Sequence, residues 1–181
     1  MSKTFKEVVS WILTFAIAFG LAYLIRRYVY EPYKVQMSSM NPTIYENDII
    51  IVNKFIFRFK DPARGEVVIF KPPHGSKDYI KRVIGLPGET VEIKGGFVFI
   101  DGKKLIEPYI KNSTPGIFGP IEIPQGEVFL MGDNRGNSLD SREFGPIEIK
   151  KLEGRAELIF WPPKHFKLLR GYPTFETTSR S

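Results

Sequence analysis

The chain has 181 residues and a net charge of +6, which is enough for one domain of ordinary size and a membrane anchor, but small for two independent domains. Lysines and arginines are scattered singly or in pairs such as Lys103-Lys104, so the positive charge favours an anionic membrane surface over nucleic acid as a partner. The absence of cysteine excludes disulfides, thiol nucleophiles and thiolate metal ligands, but it does not indicate a compartment.

An apolar segment near the N-terminus predicts a membrane-spanning helix. Residues 8–25 carry no charge, and a helix of this length, at ~1.5 Å per residue, covers about 27 Å, close to the hydrocarbon thickness of a bilayer. A cleaved secretory signal is the alternative, because Lys3 and Lys6 precede the segment and Ala16-Ile17-Ala18 is a small-x-small sequence within it. The apolar run continues for seven residues beyond that sequence, so a cut there would lie inside the bilayer. We therefore interpret the segment as a retained anchor.

The rest of the chain has the pattern of a β protein. Short runs rich in Val, Ile, Phe and Tyr alternate with Pro and Gly, which is typical of strands. The predicted strands are residues 48–53, 66–71, 79–84, 90–94, 97–101, 127–131 and 155–161. Gly95-Gly96 predicts a tight hairpin turn between two of them, and Asp101-Gly102 ends the second. Because no long segment after the anchor has helical periodicity, we predict an all-β domain with a curled or barrel-like antiparallel sheet.

Residues 55–60 alternate apolar and basic side chains, mostly phenylalanine with Arg58 and Lys60 at the end, and two interpretations stay open. The segment is either a strand whose aromatic side chains enter the core, or an exposed apolar surface whose basic residues meet lipid headgroups. Trp161-Pro162-Pro163 poses the same question.

Ser39 and Lys81 are the candidate catalytic residues. A serine hydroxyl is a weak nucleophile at neutral pH and needs a positioned proton acceptor. The two histidines, His74 and His165, both lie in proline-flanked, loop-like segments, so a Ser/Lys pair is a better hypothesis than a histidine triad. Pro42 favours an extended or turned chain after Ser39.

A third polar segment completes a recognisable set of motifs. Residues 132–142 contain two aspartates, two asparagines, two arginines and two serines, which is too polar for a core and too specific for a linker. With residues 37–43 and 78–88 before it, in this order, the chain closely resembles type I signal peptidases, the membrane-anchored serine proteases that remove signal peptides from exported proteins. The resemblance runs from the anchor to about Trp161.

The resemblance implies a single-pass serine endopeptidase that cleaves signal peptides after small-x-small sites, with no metal and no organic cofactor. Residues 1–7 would be a short cytoplasmic N-terminus, residues 8–28 the transmembrane anchor, and residues 29–181 an extracytoplasmic, β-rich peptidase domain. The positive-inside rule alone does not settle this orientation, because basic residues lie on both sides of the anchor. The expected partners are signal-peptide-bearing preproteins and membrane lipid, and neither nucleic acid nor a metal is expected.

The resemblance makes Ser39 the nucleophile and Lys81 its base, with Ser138 orienting the lysine amine. A lysine must be neutral to accept a proton, whereas its ordinary pKa lies near ~10.4. Burial disfavours the ammonium form and lowers the pKa. Apolar side chains among residues 80–84 are expected to provide this burial.

Substrate-binding and structural roles follow from the same resemblance. Walls of a small S1 pocket, suited to alanine at P1 and P3, are expected from Met40, Tyr79 and Ile80. A structural ion-pair network that braces the site is expected from Arg82, Asp133, Asp140 and Arg142. The strand edges that lead to Ser39 and Lys81 are expected to bind the substrate as an added β-strand.

Two positions depart from the family pattern. Gly136 stands where the family usually has aspartate, which affects a local bracing contact and not the dyad, and the second departure is at Met37. Type I signal peptidases commonly carry serine or glycine two residues before the nucleophile, and that serine contributes a hydroxyl to the oxyanion hole. This chain has Met37 there, and a thioether cannot donate a hydrogen bond. The Ser39 backbone N–H then needs a second donor, for which Ser38 and a water are candidates.

Other functions fit less well. A catalytically silent, membrane-tethered β-domain that binds peptides is the alternative from another class, but an intact Ser39, Lys81 and Ser138 argue against it. A self-cleaving Ser/Lys repressor would need a DNA-binding helical domain in place of the anchor. A glycosidase pair of carboxylates would need a second motif, which the sequence lacks.

Overall fold

The computed structural model describes residues 3–73, 77–169 and 173–175. Within these residues it contains two α-helices, α1 (Lys3–Tyr28) and α2 (Ser141–Phe144), and three 3₁₀ helices at Ile56–Arg58, Ile149–Lys151 and Pro163–His165. The strands are β1 (Tyr30–Lys34), β2 (Ile49–Asn53), β3 (Val67–Phe70), β4 (Tyr79–Gly85), β5 (Thr90–Lys94), β6 (Phe97–Ile100), β7 (Lys103–Ile106), β8 (Phe118–Glu122), β9 (Glu127–Met131), β10 (Ile147–Glu148), β11 (Leu152–Trp161), β12 (Lys167–Leu168) and β13 (Thr174–Phe175).

Helix α1 contains the predicted span and is followed at once by β1. Among the described residues, Lys6–Tyr23 is the one helical stretch long and apolar enough to cross a membrane. Its side chains are exposed, and apolar residues lie on all sides of it. A helix that is apolar all round and has no protein packed against it is compatible with a membrane anchor.

The strands form two antiparallel sheets. The larger sheet has the order β1-β2-β11-β3-β4-β9-β10, with β12 also paired to β11, and the smaller has the order β13-β7-β6-β5-β8. The larger sheet curls and the domain is otherwise almost free of helix, so the prediction of an all-β fold with a curled antiparallel sheet is confirmed.

Each of the seven predicted strands is present, with ends that differ by at most three residues. The Gly95-Gly96 hairpin is also present, with φ of 57° and 85°, because the two-residue turn between β5 and β6 needs positive φ at both positions. The short strands that we did not predict include β1 and β8. Each contains a proline and lies at the edge of its sheet, where a missing N–H removes no ladder hydrogen bond.

The core-strand interpretation of residues 55–60 is wrong. The Asn53 side-chain oxygen accepts hydrogen bonds from the backbone N–H groups of Phe55 and Ile56 at 3.0 and 3.1 Å, and this Asx-type contact turns the chain out of β2. Ile56–Arg58 is a 3₁₀ helix with no buried residue, and Phe59 is 76% exposed. The segment is therefore a turn in which Phe59 is exposed, while Phe55 and Phe57 are half-buried and Phe57 packs against the cluster around Val68.

Candidate active site

Ser39 lies in the tight turn that follows β1. The Asn41 N–H donates to the Ser38 carbonyl at 3.1 Å, and Thr43 and Ile44 both donate to the Met40 carbonyl. This turn places Ser39 at the bottom of a surface depression, where the residue is 9% exposed. The proline after Asn41 fits a turn here, as the sequence indicated.

Lys81 meets Ser39 from strand β4. Its Nζ donates a hydrogen bond to the Ser39 Oγ at 2.7 Å, across 42 positions of sequence, and the lysine is 1% exposed. Because side chains alternate along a strand, Tyr79 and Val83 share the face of Lys81, and both pack in the cluster around Val68 and Leu130. Ile80 and Ile84 belong to the other face, so only part of the expected apolar surroundings comes from residues 80–84.

Burial lowers the pKa of Lys81 to about 8. The carboxylates of Asp140 and Asp133 act in the opposite direction, and the Arg142 guanidinium adds to the lowering. Desolvation outweighs the carboxylates because each carboxylate is already bound to an arginine of its own. A pKa near 8 leaves roughly a tenth of the lysine neutral at pH 7.

Two ion pairs flank the Ser39/Lys81 contact. Arg82 donates to both Asp133 oxygens, at 2.8 and 2.6 Å, and neither side chain is exposed beyond 2%. Arg142 donates to both Asp140 oxygens, at 2.8 and 2.9 Å. Although burial alone would raise the pKa of Asp140, these bonds and the Gly132 N–H hold it below its ordinary value. Each carboxylate is therefore engaged by an arginine of its own, an arrangement that suits bracing better than acid catalysis.

Gly132 permits the closest approach in the site. A Cβ at this position would lie 2.2 Å from the Ser138 Oγ and 2.5 Å from the Ser39 carbonyl oxygen, so no other residue fits without displacement of the backbone. Ser138 is packed against Gly132, and its Oγ is buried without a hydrogen bond to Lys81. The expected contact between Ser138 and the lysine amine is therefore not made in this structure.

Two asparagines that the sequence analysis did not single out hold the serine turn. The Asn134 N–H donates to the Ser39 carbonyl at 3.0 Å, and its side-chain amide donates to the Ser38 carbonyl at 3.2 Å. The Asn137 amide donates to the Ser38 Oγ at 3.3 Å. Their presence in the polar segment 132–142 was a signal of function, but the sequence alone could not tell which atoms they would meet.

Cavities adjoin Ser39 on two sides in the described part of the chain. One, of about 340 Å³, is lined by Ser39 together with Lys81, Tyr79 and Leu139. The other, of about 320 Å³, is also lined by Ser39 and includes Met40 and Ile80. The three residues expected to wall one S1 pocket are therefore divided between neighbouring cavities. Met37, 39% exposed, borders both.

The histidine that the structure describes has other partners. His165 Nδ1 lies 2.7 Å from Asp48 Oδ1, and its ring packs on Tyr45 at a centroid distance of 5.0 Å. His165 is not among the residues that line either cavity at Ser39. His74 lies outside the described residues.

Comparison with known proteins identifies the family. The family described as "Signal peptidase, peptidase S26" matches residues 8–161, nearly the limits expected from the motifs. Signal peptidase I P of Bacillus subtilis subsp. natto is 39% identical over 168 residues, which cover 87% of this chain and 91% of that protein. Signal peptidase I T of Bacillus subtilis (strain 168) is 41% identical over 171 residues, covering 88% and 89%.

Similar proteins also occur in other organisms. The probable signal peptidase I-2 of Synechocystis is 41% identical over 162 residues, covering 86% of this chain and 74% of that protein. A solved signal peptidase I structure from Enterococcus faecalis is 32% identical, covers 53% of this chain and 97% of its own, and has a TM-score of 0.49. The chain belongs to the signal peptidase family, peptidase S26, and is a peptidase.

Proposed function

We propose that this protein removes signal peptides from exported preproteins through a Ser39/Lys81 dyad. The observation that carries the proposal is the 2.7 Å contact between the Ser39 Oγ and the buried Lys81 Nζ. A serine beside a lysine whose pKa is lowered by burial has both requirements of nucleophilic catalysis, a hydroxyl and a base that is neutral near working pH.

Lys81 transfers one proton in each half of the reaction. In the neutral amine the hydrogen bond reverses, so that the Ser39 Oγ–H donates to the Lys81 Nζ. As Oγ attacks the scissile carbonyl, Lys81 takes this proton and then delivers it to the departing amine, which leaves an ester on Ser39. Lys81 next takes a proton from water, the hydroxyl attacks the ester, and the proton returns to Oγ as the new carboxyl terminus leaves.

The substrate is proposed to bind as an extended strand between β1 and β4. In the described chain, β9 pairs with β4 only from Arg82 onward, so the edge beside residues 79–81 is available for main-chain hydrogen bonds. The chain after β1 forms the opposite wall of the 320 Å³ cavity. Alternate side chains of a strand point the same way, so P1 enters the cavity with Lys81 and P3 enters its neighbour. The preference for small residues at P1 and P3 is proposed from the family, because cavities of about 340 and 320 Å³ do not by themselves exclude larger side chains.

The oxyanion is proposed to be bound by the Ser39 backbone N–H and the Ser38 hydroxyl. Ser38 lines the same cavity as Ser39 and Lys81. The Asn137 amide occupies one lone pair of the Ser38 Oγ, which leaves the hydroxyl hydrogen available to donate. Ser38 therefore substitutes for the hydroxyl that Met37 lacks.

The pH dependence of kcat/KM is expected to rise with an ascending limb near pH 8. Because burial lowers the pKa of Lys81 to about 8, the neutral base is lost as the pH falls through that value, and kcat/KM falls about tenfold per unit below it. Preprotein cleavage measured from pH 6 to pH 10 tests this. A limb above about pH 10, near that of an ordinary lysine, would contradict the buried base, and His165→Gln should leave the limb in place.

The anchor is proposed to place residues 29–181 outside the cytoplasm, beside the lipid from which substrates arrive. The turn at residues 55–59 lies close to the end of the anchor. Tyr30, the first residue of β1, pairs with Asn53, and the Lys54 N–H donates to the Val29 carbonyl. The Arg58 guanidinium lies over the Phe55 ring at 5.0 Å. An aromatic and basic surface beside a membrane-spanning helix suits contact with anionic lipid headgroups.

Vesicle binding tests the lipid contact. A protein that begins at residue 30 keeps all of β1 and is expected to cosediment with anionic vesicles, and Phe59→Ser should weaken this binding severalfold. Ile117→Ser is the matched control, because Ile117 is even more exposed than Phe59, at 87%, but lies beside the smaller sheet. A lipid role for the turn would be contradicted if the truncated protein without further substitution stayed in the supernatant. Equal losses of vesicle binding in the two variants would also contradict it.

Direct assay tests the activity. Purified full-length protein in detergent is expected to cut a preprotein once, after a small-x-small sequence, with the cut mapped by mass spectrometry. No cleavage, or cleavage that persists after Ser39→Ala, would reject the proposed function.

A further inference from the structure

The segment between β7 and β8 reaches from the smaller sheet to the candidate active site. Glu107 from this segment binds Arg135 through both guanidinium Nη atoms, and the Nη1 to Oε2 distance is 2.8 Å. Arg135 Nη1 also donates to the Thr114 Oγ1 at 2.6 Å. The exposed fractions of the Arg135 and Glu107 side chains are 0% and 3%, so this pair is fully desolvated.

Arg135 belongs to the segment that holds the serine turn. Its Nε donates to the Gly132 carbonyl at 3.1 Å, which fixes the start of that segment. The next residue back, Asn134, donates to the carbonyls of Ser38 and Ser39. Glu107 is therefore linked to the nucleophile turn through its hydrogen bonds with Arg135, the Asn134–Arg135 peptide bond and the hydrogen bonds of Asn134, although it lies 68 positions away in the sequence.

Tyr109 gives the same segment a second contact with the site. Its hydroxyl donates to the Glu107 Oε1 at 2.7 Å, and its ring lies 3.9 Å from the Arg82 guanidinium. Arg82 in turn holds Asp133, the neighbour of Asn134. The segment after β7 thus reaches residues 132–135 in two ways: Glu107 binds Arg135 directly, and Tyr109 packs on Arg82, which binds Asp133.

We propose that Glu107 is a positioning residue, through which the smaller sheet sets the orientation of the Ser38 and Ser39 peptide groups. This inference rests on the proposed function, since the Ser39 N–H is the proposed oxyanion donor. Residues 136 and 137, which follow Arg135, are exposed, so on this side Asn134 is held in place by the buried contacts of Arg135 and not by the residues after it. Misplacement of a donor by about 1 Å can cost ~10²-fold in rate.

A purely stabilising role predicts something different. A fully buried ion pair contributes little net stability, because desolvation offsets the attraction, and its replacement by apolar residues of similar volume is often neutral or stabilising. Removal of one partner is destabilising because the other charge is left buried and unpaired. Positioning and stability can therefore be separated by replacing both residues together.

The experiment compares wild type with the double variant Glu107→Leu/Arg135→Met in preprotein cleavage and thermal unfolding. The double variant is expected to unfold within a few degrees of wild type, yet to lose ~10- to 100-fold in kcat, with KM changed less than threefold and the ascending limb of the pH profile unmoved. Wild-type kcat at wild-type Tm would overturn the proposal. Loss of kcat in proportion to a lowered Tm would also overturn it.

Glu107→Gln tests the positioning role if the double variant does not fold. Glu107→Gln keeps the shape of the side chain and one acceptor for Arg135, and it is expected to fold and to lose kcat severalfold with KM unchanged. Wild-type kcat in this variant overturns the proposal. Glu92→Gln, which removes the exposed pair with Lys94 on the same sheet, is the control for a general effect of lost charge.

The two hypotheses fail in different ways in this experiment. Wild-type protein that does not cut the preprotein rejects the proposed function, whatever the Glu107 variants do. Wild-type protein that cuts, with a double variant that cuts as fast, rejects the positioning role alone.

Discussion

Ser39→Ala and Lys81→Met are each expected to reduce preprotein cleavage by on the order of 10⁴-fold or more, because nucleophile and base act as a unit and no neighbour can take over either role. Single-turnover cleavage assays with excess enzyme measure the residual rate. Lys71→Met, at an exposed lysine, and Ser113→Ala are the controls and should cut at the wild-type rate. Residual activity of more than a few per cent in either dyad variant would reject the dyad.

Lys81→Met is also expected to change the pH dependence of the free energy of unfolding, which can be measured independently of activity. The pKa of Lys81 falls from 10.5 in the unfolded chain to about 8 in the folded protein. Between these values the unfolded state holds a proton that the folded state has lost, so wild-type stability rises with pH through this window. The titration of Lys81 therefore destabilises wild type below pH 8 by about 3 kcal/mol relative to above pH 10.5.

The methionine variant lacks this titration. Its stability relative to wild type is expected to be about 3 kcal/mol more favourable at pH 7 than above pH 10.5, as measured by denaturant unfolding across that range. A constant difference would mean that Lys81 titrates normally. It would contradict the burial of the amine even if the variant is inactive.

The sequence predicted the fold at the level where local signals are strong. The seven predicted strands follow from alternation and turn residues, and the Gly95-Gly96 hairpin follows from the positive φ that its two positions require. Residues 55–59 were ambiguous because alternation alone cannot separate a strand from a turn. The deciding contact is the Asn53 side chain with the following N–H groups, a local competition that outweighs the β propensity of the phenylalanines.

The site was predictable in its parts and not in its assembly. Ser39, Lys81 and the polar segment 132–142 were singled out because their motifs, in this order, resemble those of a known family. Strand alternation predicts that Ile80 and Lys81 point to opposite faces of β4. The sequence does not tell which of these faces contains the site. Glu107 lies in no motif, and its contact with Arg135 joins two sheets. Contacts of this kind depend on tertiary packing, for which a single sequence carries no local signal.

Ser38→Ala is expected to lower kcat by ~10²- to 10³-fold with little change in KM, the effect of losing one oxyanion donor whose contact forms only in the transition state. Met37→Ser is expected to leave kcat near the wild-type value, because the hydroxyl of the oxyanion hole is proposed to come from Ser38. Asn137→Ala removes the hydrogen bond to the Ser38 side chain, and its kcat should lie between those of the other two variants. Steady-state kinetics with one preprotein at pH 9, where Lys81 is mostly neutral, separate kcat from KM without interference from the base.

The pair of variants at residues 37 and 38 distinguishes three arrangements of the oxyanion hole. A neutral Ser38→Ala with a markedly faster Met37→Ser would mean that the second donor is absent and that a hydroxyl two residues before Ser39 restores it. Neutral results in both would mean that the Ser39 N–H suffices alone. Only a damaging Ser38→Ala with a neutral Met37→Ser fits the structure, in which Ser38 lines the cavity of the dyad while the Met37 thioether, at its border, has no hydrogen to donate.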